Sequence, residues 1–592
     1  MQSYVIFVIH LISKMNKVLI NKFKILFISI TALLFTHQLI AQSPNFEWAQ
    51  NMGSTQSDKG NAIAIDSSGN VYTTGTFQGT VDFNPGAAIY NLTAMAMSDM
   101  FISKFDSLGN FIWAKSIGGA FHDEAKSIAI DGIGNVYTTG YYSDTVDFDP
   151  GPGTFNLISA GNGIFISKLD SSGNFLWAKS IGNINPNQWI GSTSIAVDSF
   201  NNIYTTGWFL DTVDFDPSLG TFNLTTGNGE NSFILKLDST GNFVWAKNIE
   251  SIQLGSSVVA NSINVDASGN IYATGNFVHI VDCDPGPGVF NLVSPNYAGN
   301  IFILKLNASG NFVWARSMWG KVGAQGGGFF SIKADGLGNV YTSGSFRDTV
   351  DFDPGGGTYN LTSLGSDDIF ISKLDSLGNF VWAKSIGGVS KDMAYSLALD
   401  ASGNAYTTGS FIGTSDFDPG AGVVNLISSG LEDIFISKLD ASGNFVWAKK
   451  IGGSLGEEAF DIAVDKTTNG IYTTGYFNGT VDFNEDAGVV NLTSFGLNDI
   501  FVHKMSQSGV GITENSNSNN AGIYPNPTAG LFTIELDNAS VITINNTLGQ
   551  LILNEKLDTG KQNINLGSET NGIYFVRVIN KNIVSTNKII KQ

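Results

Sequence analysis

Acidic side chains two residues apart recur along this chain and could bind a cation. The pattern D-x-[DN] occurs in seven copies of a longer repeat, two of which have Asn84 or Asn484 in the second position. The other five copies are Asp147 and Asp149, Asp214 and Asp216, Asp282 and Asp284, Asp351 and Asp353, and Asp416 and Asp418. Residues i and i+2 of an extended segment share a face, and calcium loops begin with the same pattern, so a weak calcium site is one interpretation. The other is a strand that ends in a Pro-Gly turn, because Ca²⁺ takes about six to eight oxygens and each copy supplies two side chains. Calcium is the one cofactor that the sequence suggests.

Three tryptophans outside the repeat, Trp189, Trp208 and Trp319, are the candidate ligand-binding residues. They lie in units three to five, which are longer than the other units. Four units carry an acid at one equivalent position and these three do not: the acids are Asp58, Asp123, Asp392 and Glu457, and the replacements are Ile190, Val258 and Gly327. Exposed aromatic rings stack on sugars or anchor a protein partner, whereas buried rings would only fill space left by longer loops. The sequence leaves both interpretations open.

Residues for catalysis are sparse. Outside the N-terminal segment the chain has three histidines, His122, His279 and His503, which occupy different repeat positions without ligand spacing. The single cysteine, Cys283, lacks a catalytic partner, and the motifs G-x-S-x-G and H-E-x-x-H do not occur. We therefore predict that the protein is not an enzyme. The alternative is a glycosidase or lyase whose acids the sequence does not distinguish.

An internal repeat positions all of these residues. The segment F-x-W-A recurs every 64 to 69 residues, with its tryptophan at Trp48, Trp113, Trp177, Trp245, Trp314, Trp382 and Trp447. Each unit has four segments that alternate in period two, as strands do, and D-x-x-G-N turns join them. Seven units of four strands predict an all-β fold, a seven-bladed β-propeller. The last unit lacks an F-x-W-A segment, so the N-terminal FEWAQ strand is predicted to complete the seventh blade and close the ring.

Each unit carries near copies of the segments FVWAK, GNVYTTG and VDFDPG. Through these segments, residues 46–510 resemble the seven-bladed β-propeller repeat family of bacterial surface proteins. In an antiparallel four-stranded blade, the VDFDPG insertions and the inter-blade segments emerge at the same end. We expect ligand binding at this long-loop face, because scaffolds present function on loops.

The N-terminus has the layout of a secretory signal peptide. Lysines precede the apolar run from Ile25 to Phe35, and a short polar stretch ends near Ala41, so residues 1–41 are predicted to be removed, with Met15 an alternative start. Without the four lysines of this segment the net charge changes from -20 to -24. Such acidity argues against nucleic acid and anionic lipid as partners.

The C-terminus reads as a separate small module. Residues 511–522 form a polar linker, and residues 523–592 consist of short strands with turn signals. Three ordered motifs mark this module: YPNP (Tyr524, Pro525, Asn526, Pro527), an LGQ turn around Gly549, and GIYFVRV with Gly572 and Tyr574. The module resembles the type A C-terminal sorting domain of the type IX secretion system. The resemblance implies a β-sandwich-like tag, recognition by the type IX machinery and transport across the outer membrane.

Together these features predict an exported binding module that is secreted or held at the outer cell surface. The expected ligand is an extracellular glycan or protein, the expected state is a monomer, and contact with the membrane is expected only through surface attachment. A carbohydrate-active enzyme on the same scaffold and a structural surface-layer protein are the alternatives.

Overall fold

The computed structural model describes residues 43–182, 189–294, 299–320, 330–486, 488–507, 522–536, 538–546, 550–580 and 583–592. The predicted signal peptide with Met15, nearly all of the predicted linker, Gly327 and Gly549 lie outside these ranges. Every regular element within them is a β-strand, and none of the described residues form a helix that could span a membrane. The chain divides into two compact parts, the first ending at Gln507.

Hydrogen-bonded turns join the strands as their D-x-x-G-N sequences predict. In one of them, Asp106 Oδ1 accepts the N–H groups of Leu108 and Asn110 at 2.8 and 2.9 Å. Gly109 adopts a φ of 82°, a conformation in which a side chain would be strained. Asn201 takes the equivalent place in unit 3 with a φ of 63°, which asparagine tolerates better than other residues.

The strands of the first part follow the repeat. The first strand is β1 (Asn45–Met52), and unit 1 contains β2 (Lys59–Ile65), β3 (Val71–Phe77), β4 (Thr80–Asp82), β5 (Asn91–Thr93), β6 (Asp99–Phe105) and β7 (Phe111–Ile117). Unit 2 contains β8 (Glu124–Ile130), β9 (Val136–Asp147), β10 (Asn156–Leu169) and β11 (Phe175–Ile181). Unit 3 contains β12 (Ile190–Val197), β13 (Ile203–Phe209), β14 (Thr212–Asp214), β15 (Asn223–Thr225), β16 (Asn231–Leu237) and β17 (Phe243–Ser251).

The remaining units repeat this order. Unit 4 contains β18 (Ser257–Val265), β19 (Ile271–Val278), β20 (Ile280–Asp282), β21 (Asn291–Val293), β22 (Asn300–Leu306) and β23 (Phe312–Gly320). Unit 5 contains β24 (Ser331–Ala334), β25 (Val340–Phe346), β26 (Thr349–Asp351), β27 (Asn360–Thr362), β28 (Asp368–Leu374) and β29 (Phe380–Gly388). Unit 6 contains β30 (Asp392–Leu399), β31 (Ala405–Phe411), β32 (Thr414–Asp416), β33 (Asn425–Ile427), β34 (Asp433–Leu439) and β35 (Phe445–Ile451). Unit 7 contains β36 (Glu458–Val464), β37 (Gly470–Phe477), β38 (Thr480–Asp482), β39 (Asn491–Thr493) and β40 (Asp499–Ser506).

The long strands of each unit pair in chain order as an antiparallel sheet, as in β2-β3-β6-β7 of unit 1. The D-x-[DN] insertion between the second and third long strands adds a hairpin. In units 4, 5 and 6 this hairpin pairs with the fourth strand of the preceding unit; for example, β20 of unit 4 pairs with β17 of unit 3. The insertions and the inter-unit segments therefore lie at the same end of the sheets, as strand parity predicts.

The strand β1 supplies the fourth strand of unit 7. It pairs antiparallel with β40 along its whole length. Trp48 packs edge-on against Tyr472 at 6.3 Å between ring centroids, and Trp113 packs in the same way against Tyr72 at 6.1 Å. The Trp48 indole N–H donates to Ser107 O of unit 1 at 3.2 Å, as Trp113 donates to Ser171 O of unit 2 at 3.3 Å. The N-terminal segment thus occupies the position that the repeat assigns to an F-x-W-A strand.

The apolar core lies between consecutive sheets. One cluster joins Tyr72, Ile102 and Trp113 of unit 1 to Ile128 and Tyr142 of unit 2, and each following pair of sheets has its counterpart. Both faces of the F-x-W-A strand are largely apolar, yet one residue of the strand is exposed in most units. The exposed side chains are Ile112, Leu176, Val244, Val313 and Val381, at 45–46% exposure. They face solvent because this strand is the outermost of its sheet.

The second part contains two sheets. Its strands are β41 (Gly522–Tyr524), β42 (Leu531–Leu536), β43 (Ser540–Asn546), β44 (Leu551–Leu557), β45 (Gly560–Asn565), β46 (Gly572–Asn580) and β47 (Ile583–Lys591). The order is β41-β42-β45 in one sheet and β44-β43-β46-β47 in the other. Phe532 and Ile534 of the first sheet and Ile544 and Val576 of the second are buried in one shared core.

Candidate functional site

The paired aspartates of the insertions hold a turn. Asp147 Oδ1 accepts the N–H groups of Asp149 and Phe155 at 3.1 and 2.7 Å, and Asp149 Oδ1 accepts that of Gly151 at 2.8 Å. Every unit repeats these bonds, including Asn84, whose Oδ1 accepts the N–H of Gly86 at 2.9 Å. A neutral amide makes the same bond, so the turn does not depend on a second charge. The described residues contain no group of three or more His, Cys, Asp or Glu side chains suited to a metal. Calcium binding by the aspartate pairs stays a prediction.

A second set of acids is buried between neighbouring sheets. The pairs are Asp99 with Asp123, Asp368 with Asp392, Asp433 with Glu457, and Asp499 with Asp58, all at most 2% exposed. The second member of each pair accepts a backbone N–H, as Asp123 Oδ2 does from Gly119 at 2.7 Å. The first member lies against a glycine; a Cβ on Gly53, Gly118, Gly387 or Gly452 would come within 2.0–2.5 Å of the facing carboxyl carbon. The second members, Asp58, Asp123, Asp392 and Glu457, are the acids that units 3 to 5 lack.

The first member of each pair has one carboxylate oxygen without a donor among the described residues. Oδ1 of Asp99, Asp368, Asp433 and Asp499 receives no hydrogen bond from the described residues. Burial raises the pKa of Asp368 and Asp499 to about 7, and the neighbouring acid acts in the same direction. Burial likewise raises the pKa of Glu457 to about 7, although Gly453 N–H and Lys450 oppose the shift.

Hydrogen bonds link the first strands of successive units in a ring. Each bond joins a side chain of one unit to the next unit, with donor–acceptor distances of 2.6–3.3 Å. The linked residues are Asn61 with Ala125, Ser127 with Ile195, Ser194 with Ile263, Ser262 with Ile332, Ser331 with Leu397, Ser396 with Asp461, and Asp461 with Ile63. The series returns to the unit in which it began.

The seven first strands together line one cavity of about 920 Å³, which we call the central cavity. Its half-buried or exposed aromatic side chains are Tyr141, Trp189, Trp208 and Phe460. Side-chain amides that line it are Asn61, Asn162, Asn261 and Asn264. A cavity with aromatic faces and a few polar groups is the usual form of a small-ligand site.

The structure brings two of the three candidate tryptophans together. Trp189 is 65% exposed at the entry to β12, and Trp208 lies in β13, where its indole covers Gly191. Trp189 O accepts the N–H of Leu210 at 2.9 Å, so the two tryptophans occupy neighbouring strands on one side of the cavity. Trp319 does not line this cavity; it is 41% exposed at the end of β23, where it pairs with Asp351.

Two acids also line the central cavity, and both accept hydrogen bonds from other groups of the protein. Glu124 accepts hydrogen bonds from Asn61, Lys126 and Tyr141, at 2.8, 2.7 and 2.6 Å. Lys126 and these donors lower the pKa of Glu124 although burial opposes the shift. Burial raises the pKa of Asp461, although Ser396 donates to one oxygen at 2.6 Å and Ile63 N–H to the other at 2.9 Å.

Most of the lining was not predicted from the sequence because the relevant signal is a departure from the repeat at two positions. Alignment on the D-x-x-G-N turn places Lys333 where five other units have alanine: Ala64, Ala129, Ala196, Ala398 and Ala463. The same alignment places Asp461 where five units have serine. These substitutions could have been found by comparing the units residue by residue.

The C-terminal motif residues hold the last strand. Asn526 Nδ2 donates to Lys588 O at 2.7 Å, and Asn526 Oδ1 accepts the N–H of Ile590 at 2.9 Å. Pro525 and Pro527 flank this contact, both after cis peptide bonds. Tyr524 is 42% exposed, and Lys561 Nζ lies 5.7 Å from the centre of its ring. Tyr574 follows Gly572 at the start of β46, is buried, and donates its hydroxyl to Thr570 O at 2.6 Å.

Two segments of the chain match known families. Residues 522–592 match the family described as secretion system C-terminal sorting domain, and residues 36–76 match the family described as beta-propeller repeat. The fold and these matches define an all-β protein with propeller-like repeats. It is a surface or secreted protein, exported through the type IX secretion system by its C-terminal sorting domain.

Curated relatives match part of the chain. Over 509 residues it is 24% identical to an uncharacterized WD repeat-containing protein of Acanthamoeba polyphaga mimivirus, covering 73% of this chain and 36% of that protein. Over 111 residues it is 29% identical to the regulatory protein FlaEY of Caulobacter vibrioides, covering 19% of this chain and 11% of that protein. The chain thus spans at most 36% of the length of these relatives.

Two solved structures show distant similarity. PorZ of Porphyromonas gingivalis, described as an essential bacterial surface component of the type-IX secretion system, is 13% identical with a TM-score of 0.18, over 92% of this chain and all of PorZ. A member of the duf4221 family from Bacteroides vulgatus is 10% identical with a TM-score of 0.28, over 64% of this chain and 93% of that one. Similarity at these TM-scores carries no weight for fold or function.

Proposed function

We propose that the seven units close into a seven-bladed β-propeller around the central cavity. Three observations support closure: β1 completes the sheet of unit 7, each first strand contacts the first strand of the next unit, and Asp461 of unit 7 bonds to Ile63 of unit 1. Closure removes the exposed sheet edges that would otherwise pair with other chains.

We further propose that the exported propeller binds a saccharide in the central cavity. The observation that carries this proposal is the placement of Trp189 and Trp208 at one cavity wall with side-chain amides on the lining. Sugar rings have apolar faces that stack on indoles and hydroxyls that bond to amides, and the two groups are combined here. A protein ligand remains the alternative partner for the same aromatic side chains.

The experiment compares two tryptophan variants of the full chain on an oligosaccharide array and by calorimetry. Trp189→Ala with Trp208→Ala should weaken saccharide binding at least about tenfold, since stacking contributes about 0.5–1.5 kcal/mol per aromatic pair beyond burial. Trp319→Ala is the matched control, because its indole is exposed but lies outside the cavity lining. Equal affinity of all three proteins would refute the site, and absence of saccharide binding by the wild-type protein would refute the function.

The enzyme alternative has one specific observation in its favour. Glu124 and Asp461 line the same cavity, and their pKa values shift in opposite directions, as those of catalytic acid pairs do. Their oxygens, however, already accept hydrogen bonds from protein groups, which supports a binding role. Release of product from a bound oligosaccharide, lost in Glu124→Gln, would establish the enzyme instead. We also propose that the mature protein is a monomer, which light scattering tests.

A further inference from the structure

The lining of the central cavity has more basic than acidic residues, whereas the chain as a whole has more acidic ones. The protein has 31 basic and 51 acidic residues, yet the cavity lining has four lysines and two acids. The lysines are Lys59, Lys126, Lys333 and Lys466, and the acids are Glu124 and Asp461. An excess of positive charge in a cavity of an acidic protein indicates a ligand with negative charge.

The lysines differ in how far the protein already neutralises them. Lys126 forms an ion pair with Glu124 at 2.7 Å. Lys59 Nζ lies 5.0 Å from the ring centre of Tyr476, a cation–π contact, and its charge also interacts with Glu458. Lys466 is exposed at the other end of the lining strands. Asp461 is the lining acid that remains for Lys333 and Lys466.

Lys333 is the lysine whose position most needs a partner. It replaces an alanine of the repeat, so its ammonium group projects from β24 in a place that five other units fill with a methyl group. Within the described residues no carboxylate oxygen lies within 4.0 Å of Lys333 Nζ. Burial lowers the pKa of Lys333, and Asp461 only partly opposes this effect. A partly buried ammonium without an ion pair loses hydration, and an anionic ligand group would offset that loss.

We propose that the central cavity selects saccharides that carry a carboxylate or sulfate group, and that Lys333 binds this group. The inference rests on the proposed saccharide site and names its ligand class. Trp189 and Trp208 would stack on one ring of an oligosaccharide. Lys333, which the repeat places about 13 Å further along the strand direction, forms a charge-assisted hydrogen bond with an acidic substituent on another ring. Such bonds are roughly twice as strong as neutral ones, which makes the charge a determinant of specificity.

Calorimetry on the full chain with three probes tests the inference: a tetrauronate, a sulfated tetrasaccharide and a neutral tetrasaccharide. The wild-type protein should bind at least one acidic probe about 10- to 100-fold more tightly than the neutral probe. Lys333→Met should remove this preference, and Lys333→Arg should retain it. Lys247→Met is the matched control, a loss of the same charge outside the cavity lining.

The outcomes separate the two proposals. Equal binding of acidic and neutral probes, or an acidic preference that survives Lys333→Met, would overturn the inference while the saccharide site stands. Loss of the preference for one acidic probe alone identifies the substituent, carboxylate or sulfate. Binding of none of the probes together with none on the array would refute the saccharide site itself.

Discussion

One carboxylate oxygen of Asp461 accepts the backbone N–H of Ile63 at 2.9 Å, and this bond joins the last repeat of the chain to the first. The other oxygen accepts the hydroxyl of Ser396 at 2.6 Å, so a single side chain connects three consecutive units. We predict that Asp461→Ala destabilises the protein by about 1–3 kcal/mol, because two buried donors lose their acceptor. Urea unfolding followed by tryptophan fluorescence measures this loss.

The repeat supplies the control for this prediction. Serine occupies the same position in five other units, where for example Ser127 Oγ accepts the N–H of Ile195 at 3.2 Å. Asp461→Ser should therefore retain most of the stability that Asp461→Ala loses. Equal destabilisation by both variants would show that the ring of hydrogen bonds does not hold the last unit to the first.

Because of the buried acid pairs, we predict that the free energy of unfolding decreases as the pH rises. Burial places the folded-state pKa of Asp123 and Asp392 at about 6 and of Asp368 and Asp499 at about 7, above the ordinary value of 3.8. The folded state therefore binds more protons than the unfolded chain between these values. The resulting stabilisation is fully present below about pH 4 and is lost as the pH rises through 6 to 7. The melting temperature should decrease from pH 5 to pH 8.

Asparagine substitutions test the origin of this dependence. Units 3 and 4 already carry Asn231 and Asn300 where units 1, 5, 6 and 7 have the first acid of a pair. Asn231 Oδ1 accepts the N–H of Ser251 at 2.9 Å. Asp99→Asn with Asp368→Asn and Asp499→Asn should raise the melting temperature at pH 8 and flatten its pH dependence. Asp144→Asn, an exposed change of the same charge, should leave the slope unaltered. A slope that persists in the triple variant would assign the effect to other groups.

The repeat made most of the strand pattern predictable, whereas the site required the packing of the strands. The Asp106–Gly109 turn and the F-x-W-A position of Trp48 are local signals, so strands and turns follow from short segments. The placement of Trp189 beside Trp208 depends on which strands pair, and Trp319 separates from them because β23 pairs with an insertion hairpin. Lys333 was not predicted as a site residue, because a lysine in a short strand is inconspicuous until the units are aligned and alanine is found at its position in five others.

The aspartate pairs of the insertions are predicted to hold their turns without a metal. Asp149→Asn should preserve the melting temperature, because Asn84 and Asn484 make the same bond in units 1 and 7. Asp149→Ala should cost about 0.5–1.5 kcal/mol through loss of the bond from Gly151 N–H. EDTA should leave the wild-type melting temperature unchanged. A rise in melting temperature with calcium that Asp149→Asn abolishes would instead establish the calcium site.

The sorting module is predicted to depend on Asn526, whose side chain bonds to the backbone of Lys588 and Ile590 and holds the end of β47. Asn526→Ala removes both bonds, so we expect looser attachment of the last strand and less recognition by the export machinery. In cell fractionation, the variant should accumulate in the periplasm while the exported fraction falls severalfold. Asn538→Ala, on the exposed surface of the same module, is the matched control. Unchanged export of Asn526→Ala would show that the machinery does not depend on how this strand end is held.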